Sequence, residues 1–355
     1  MANVSATVPR RVLDADAHVI EPFGIFGDAQ RLDRNPMDLP ATTPTVVCGG
    51  ADLSDQWEHG WDAPSYLRAM DAQRIAAAVL YPSVGLFVPF QPEISDREQA
   101  RACAGYDDWI AGYCATDPSR LAGVGIAPLG DPHLAASETR RAATLGLVGM
   151  LVRPNFLHGR NLGDRAYDPL YDALEETGLV LAVHEGMGVR GGPTIGGDRF
   201  ASFAARHLCS HPMEQMASMA SLMLDGALER HPVMRVAFLE SGTGWLPYWL
   251  ARLDDHIEWM ADTETKGLEH SASEYFARQC IISTDPEDPL CATSVDAVGA
   301  DHIVWASDFP HPDAAFPDAL DEFVHHNPRL ANTALGAILW DTPLDFYRLR
   351  ERFGG

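Results

Sequence analysis

The sequence has little positive charge. Its 355 residues include 26 Lys and Arg against 50 Asp and Glu, a formal net charge of −24. Nucleic acids and anionic membrane surfaces are bound through clustered basic side chains, so this balance argues against both as partners. Long apolar runs are also missing. No stretch approaches the roughly 20 residues of a membrane-spanning helix, and residues 1–11 lack the apolar segment of a secretory signal. A cytoplasmic protein acting on a small molecule is the expectation, with a homo-oligomer left open. The six cysteines, at 48, 103, 114, 209, 280 and 291, form no CxxC pair. That argues against a thiolate metal site and structural disulfides, and for free thiols in a reducing compartment. No internal repeat, linker or low-complexity stretch divides the chain, which reads as one domain over 1–355. No Gly-rich phosphate loop follows the first apolar run, which weakens a nucleotide-binding sheet.

Eight short apolar segments are present, at 12–18, 76–83, 121–128, 147–154, 179–186, 235–242, 280–285 and 302–309. Near-continuous hydrophobic runs are what parallel strands buried on both faces look like. Helical patterns lie between most of them. Asp131-Pro132 opens one with a cap acceptor and a proline at its first turn, and Gly146 stops it. Asp168-Pro169 and Gly178 bracket the next in the same way. Eight strands alternating with helices over this length predict an α/β chain of the (β/α)8 TIM-barrel type, with a doubly wound sheet as the rival. Two connections are too long for plain units and are expected as insertions near the barrel mouth, after strands 1 and 5. Residues 19–75 carry Trp57, His59 and Trp61; residues 187–234 open Gly-rich and continue into a long helix.

Three of the segments end on metal-binding side chains: Asp16-Ala17-His18, His184 and Asp308. In a barrel all strand C-termini open on one face, so Asp16, His18, His184, Glu240 and Asp308 are expected to meet there. Gathering buried charges is costly unless a cation pairs them. His211 lies in the second insertion as a site candidate, with His207 beside it. Arg199 suits bidentate capture of a substrate carboxylate, and Arg153, ending the fourth segment, points to the same mouth. His311 is expected to orient Asp308. Met213, Met216, Met219 and Met223 form a helical stripe read as core.

Asp16-x-His18 followed by Glu21-Pro22 resembles the strand-1 metal motif of the amidohydrolase superfamily. Trp305-Ala306-Ser307-Asp308-Phe309-Pro310-His311-Pro312 is similar to the strand-8 signature of the amidohydrolase-related group that contains the aminocarboxymuconate-semialdehyde decarboxylases. Glu229-Arg230-His231-Pro232, Phe238-Leu239-Glu240-Ser241-Gly242 and Trp245-Leu246-Pro247 also resemble that group, so the likeness runs over nearly the whole chain. The resemblance implies a distorted (β/α)8 barrel and one divalent ion, most often zinc with manganese or iron as alternatives. Asp16, His18, His184 and Asp308 would be its ligands. One departure is Glu240, where the decarboxylases of the group carry histidine. A glutamate ionised beside a dication suits activation of water better than protonation of carbon. The expected activity is therefore hydrolysis of an ester, thioester, lactone or amide, with Asp308 as proton carrier assisted by Glu240 or His211. Decarboxylation of an aromatic or unsaturated acid is the alternative, and a catalytically silent binding barrel the reading from another class.

Overall fold

The computed structural model describes residues 9–22, 24–27, 48, 51–91, 94–186, 194–196 and 199–354. Eight strands follow one another in a single sheet: β1 (Leu13–Val19), β2 (Ala77–Pro82), β3 (Leu121–Ile126), β4 (Gly149–Val152), β5 (Val180–His184), β6 (Arg235–Leu239), β7 (Cys280–Thr284) and β8 (Ile303–Trp305). All pair in parallel, from Leu13 opposite Ala77 to Thr284 opposite Trp305. These are the eight apolar runs of the sequence, trimmed at their ends. The run at 302–309 is ladder only over Ile303–Trp305. Beyond that the backbone leaves the sheet to aim polar side chains.

The sheet curls into a nearly closed (β/α)8 barrel, and its ends meet between β8 and β1. There Asp308 N–H donates to Asp16 O at 3.2 Å and His18 N–H to Phe309 O at 2.7 Å. Asp14 reinforces the seam. Its buried carboxylate accepts the Ser307 N–H at 3.1 Å, the Ser307 hydroxyl, and the Asp16 N–H at 3.3 Å.

The helices form as their local chemistry dictates. The Asp131 carboxylate caps Pro132–Thr144 by accepting from His133 N–H at 2.8 Å. Gly146 follows at φ +79°, a left-handed position that a β-carbon makes unfavourable. The second expected cap differs. Asp168 is already the first helical residue of Asp168–Thr177, and its carboxylate takes Arg230 at 2.8 Å instead. A stronger charged partner outcompetes local capping there.

The helix Phe203–Leu224 that follows β5 positions part of the site. The Gln215 side-chain amide donates to Val183 O at 2.8 Å and Leu239 O at 2.9 Å, pinning the helix across the tops of β5 and β6. Of the methionine stripe, Met219 and Met223 are buried and Met216 is half-buried, whereas Met213 is exposed. The expected caps fall partly on residues 28–47, 49–50, 187–193 and 197–198, which lie outside the described residues. In the described part, Cys48 N–H donates to Pro310 O at 2.8 Å and Trp61 packs on Phe309, so this connection rests against the exit of β8. No helix among the described residues is long and apolar enough to cross a membrane.

Burial pushes the Asp14 carboxyl up from 3.8 to about 7, against the hydrogen bonds from Ser307. An acid whose folded pKa is raised contributes fully below its unfolded pKa and loses that contribution as pH rises through the folded one. The unfolding free energy of the wild type, relative to Asp14→Asn, should therefore fall between about pH 4 and about pH 7 and level off above that. Urea unfolding of both proteins measures this. A pH-independent difference would show that Asp14 does not titrate at the seam.

Candidate metal and active site

Asp16 and His18 stand on β1, His184 is the last residue of β5, Glu240 the first after β6, and Asp308 lies three residues after β8. Their donor atoms converge. His18 Nε2 lies 3.1 Å from His184 Nε2, 3.4 Å from an Asp308 oxygen and 3.7 Å from Asp16 Oδ1. His184 Nε2 lies 3.4 Å from Asp16 Oδ1 and 3.1 Å from a Glu240 oxygen. Both histidines are fully buried.

The tautomers follow from the other ring nitrogens. His18 Nδ1 sits 2.9 Å from Pro82 O, and His184 Nδ1 sits 2.7 Å from Glu185 O. A carbonyl oxygen can only accept, so each Nδ1 carries the hydrogen and each Nε2 presents a lone pair. Two lone pairs meeting at 3.1 Å, with the buried Asp16 Oδ1 lacking any hydrogen-bond partner beside them, repel one another unless a cation lies between them. Burial, and then the nearby His311 and His184, hold His18 well below its ordinary pKa, which keeps it a neutral donor. Two neutral imidazoles and two carboxylates fit a divalent ion of the zinc or manganese type.

The backbone bends to bring the carboxylates in. Glu240 and Asp308 have φ of +50° and +55°, left-handed conformations that cost about 1–3 kcal/mol and persist only where the surroundings enforce them. The Ser283 hydroxyl holds Glu240 N–H at 2.9 Å. His311 Nδ1 reaches Asp308 at 2.6 Å, as the sequence led us to expect, and its ring stacks on His18 at 4.0 Å. Ser83 Oγ meets the other nitrogen of His311 at 3.1 Å. Glu21, of the strand-1 motif, accepts Val84 and Gly85 N–H groups at 3.1 and 2.8 Å, so it braces the end of β2. Gly85 permits this approach, since a β-carbon there would lie 2.6 Å from Ile126 Cδ1.

His211 is buried on the helix Phe203–Leu224, one turn before Gln215. Its Nδ1 donates to Glu240 O at 2.9 Å, and its Nε2 has no hydrogen-bond partner. His207 stacks on it at 4.4 Å and pairs with Asp313 at 3.2 Å. Both histidines line a cavity of about 290 Å³ together with Glu240, Asp285, Asp308 and Asp313. Burial raises the Glu240 carboxyl well above its ordinary pKa, and Asp308, Asp313, Asp16 and Asp285 add to the effect. Four carboxylates therefore crowd the group that the sequence analysis set beside a dication alone.

The two expected arginines stand elsewhere. Arg153 is 1% exposed and donates to Glu185 at 2.9 Å, between the rings of Phe87 and Phe90. Its strand end was read correctly, but burial demands a partner and Glu185, next to His184 in sequence, supplies it. Arg199 is exposed and does not line the cavity. Asp285, Asp313 and Ser83 were not singled out. Asp285 follows β7 in the way Glu240 follows β6, and that repeat of design was the available signal.

Loading the protein with a divalent ion should raise its unfolding free energy by about 2.7 kcal/mol at a hundredfold excess over the dissociation constant. A His18→Ala/His184→Ala variant should lose both the ion and that increment. Elemental analysis and denaturant unfolding measure the two effects, and equal metal in both proteins would remove the site.

The Amidohydrolase family model matches residues 13–349. The 2-amino-3-carboxymuconate-6-semialdehyde decarboxylase of Dictyostelium discoideum is 24% identical over 207 residues, covering 58% of this chain and 55% of its own length, so this chain spans about half of that relative. Gamma-resorcylate decarboxylase of Polaromonas sp. is 26% identical over 267 residues, covering 69% of this chain and 76% of its own length. The crystal structure of 5-carboxyvanillate decarboxylase from Novosphingobium aromaticivorans, with bound manganese and 3-methoxy-4-hydroxy-5-nitrobenzoic acid, aligns with a TM-score of 0.73 at 17% identity over 96% of this chain and 97% of its own. At that identity the likeness is one of fold. With its nearly closed eight-stranded parallel barrel and a family match from the first strand to the last helices, the chain belongs to the amidohydrolase family.

Proposed function

We propose that this chain is a metal-dependent decarboxylase of a small aromatic or unsaturated carboxylic acid. The observation that carries the reading is His211. It is a buried imidazole fixed through Nδ1 to Glu240 O, its Nε2 has no hydrogen-bond partner, and the residue lines the cavity together with Asp308 and Glu240. Decarboxylation breaks a carbon–carbon bond, leaves its electron pair on the substrate carbon and requires one proton there. The balance is one carboxylate plus one proton giving one carbon–hydrogen bond and one carbon dioxide. Glu240, whose carboxyl burial pushes up, is the group within reach to deliver that proton, and His211, a neutral imidazole whose pKa burial lowers, would have to take up a proton at Nε2 before passing one on. Asp308, oriented by His311, faces the same space. A divalent ion held by Asp16, His18, His184 and Asp308, manganese or zinc, would supply a cationic anchor for the carboxylate.

Hydrolysis was the first expectation from the sequence. Its ground was an ionised Glu240 beside a dication, and the curated relatives support the decarboxylase alternative instead. The hydroxybenzoate class is the first panel to try with manganese-loaded protein in deuterated water. Carbon dioxide should appear together with deuterium at the vacated carbon. His211→Asn should lower kcat by about 10²–10⁴-fold, the usual worth of positioned proton transfer. Metal-dependent cleavage of esters or lactones, with no carbon dioxide from any acid, would overturn the proposal.

A further inference from the structure

Gln215 is fully buried on the helix Phe203–Leu224, one turn after His211. The two carbonyls that accept from its side-chain amide, Val183 O at 2.8 Å and Leu239 O at 2.9 Å, belong to the residues immediately before His184 and Glu240. Only the NH2 of an amide can meet two carbonyl oxygens, so its orientation is fixed and Oε1 is left buried without a hydrogen-bond partner. From the same helix face, His211 Nδ1 donates to the next carbonyl along β6, Glu240 O, at 2.9 Å. One helix therefore holds the carbonyl before His184 and the two carbonyls on either side of the Glu240 α-carbon. β5 and β6 pair in register only as far as His184 opposite Leu239. Past that pair Glu240 turns left-handed at φ +50°, and its carboxyl oxygen comes to 3.1 Å from His184 Nε2.

We propose that Gln215 is a positioning residue, which sets the register between the metal ligand His184 and the pair Glu240 and His211 through the backbone at the ends of β5 and β6. The effect on the ion rests on the ligand geometry; the effect on proton delivery rests on the decarboxylase reading. Groups that orient ligands from outside a metal centre are worth about 10–100-fold in metal affinity or activity. The chain carries a matched contact at the other end of the same strand. Gln279, 2% exposed, donates through its side-chain amide to His231 O at 2.7 Å and Met234 O at 3.0 Å, just before β6 begins. It makes the same kind of bonds, at the end of the barrel remote from the ligands.

Manganese titration of the full chain, followed by electron paramagnetic resonance, compares Gln215→Met with Gln279→Met, and circular dichroism checks both folds. Gln215→Met should bind manganese about 10–100-fold more weakly than the wild type and change the spectrum of the bound ion. Gln279→Met should match the wild type in both. If Gln215→Met does not fold, Gln215→Asn, whose amide is one methylene shorter and cannot span both carbonyls, takes its place. Wild-type affinity and spectrum in the Gln215 variant would overturn the proposal. So would an equal loss in both variants, since any damage to the barrel would then suffice. At saturating manganese, carbon dioxide release by the Gln215 variant should still be about tenfold slower; a wild-type rate would overturn the part that concerns Glu240 and His211. No carbon dioxide from the wild type would remove the decarboxylase reading, and the manganese comparison would then decide the role of Gln215 alone.

Discussion

The seam between β8 and β1 is the constraint on which the site depends. Asp16 and Asp308 are neighbours only because the first and last strands are held edge to edge, by Asp308 N–H to Asp16 O and His18 N–H to Phe309 O. Asp14 buries a carboxylate to bind Ser307 from the opposite side of that seam. A buried acid is an expensive clamp, and it is tolerable here because Ser307 and the Asp16 N–H satisfy it. Were the seam to open, two of the four candidate ligands would leave the other two.

Within that frame the ligands are set by what each one cannot do. Pro82 O and Glu185 O occupy the Nδ1 hydrogens of His18 and His184, so neither ring can relieve the contact of its Nε2 with the other by changing tautomer. The repulsion is built into the barrel and calls for a cation. The left-handed residues Glu240 and Asp308 add local strain to the same end. Orientation comes from a surrounding layer of Ser83, Ser283 and Gln215, while His311 holds Asp308 from within the same donor cluster as His18 and Glu240.

Charge is distributed unevenly around the mouth. Arg153, the deepest arginine near the site, is consumed by Glu185, while the cavity is lined by carboxylates and by imidazole acceptors.

Much of this was legible in the chain. Eight apolar runs marked the eight strands because burial on both faces leaves no room for alternation. Asp16, His18, His184 and Asp308 could be picked out because side chains at strand ends in a parallel barrel must open on one face. The identity of His311 as the partner of Asp308 followed from proximity in sequence. What the chain could not reveal were interactions between residues far apart along it. The carboxylates around Glu240 come from three other strand ends, and together they push its carboxyl up in a way that no single neighbour in the sequence indicated. The fates of Arg153 and Arg199 were equally hidden, since one depended on a glutamate on the next strand and the other on which way an insertion carried it. Periodicity and strand-end chemistry are local and can be read along the chain, whereas the net field in a cavity is a sum over groups that only folding brings together.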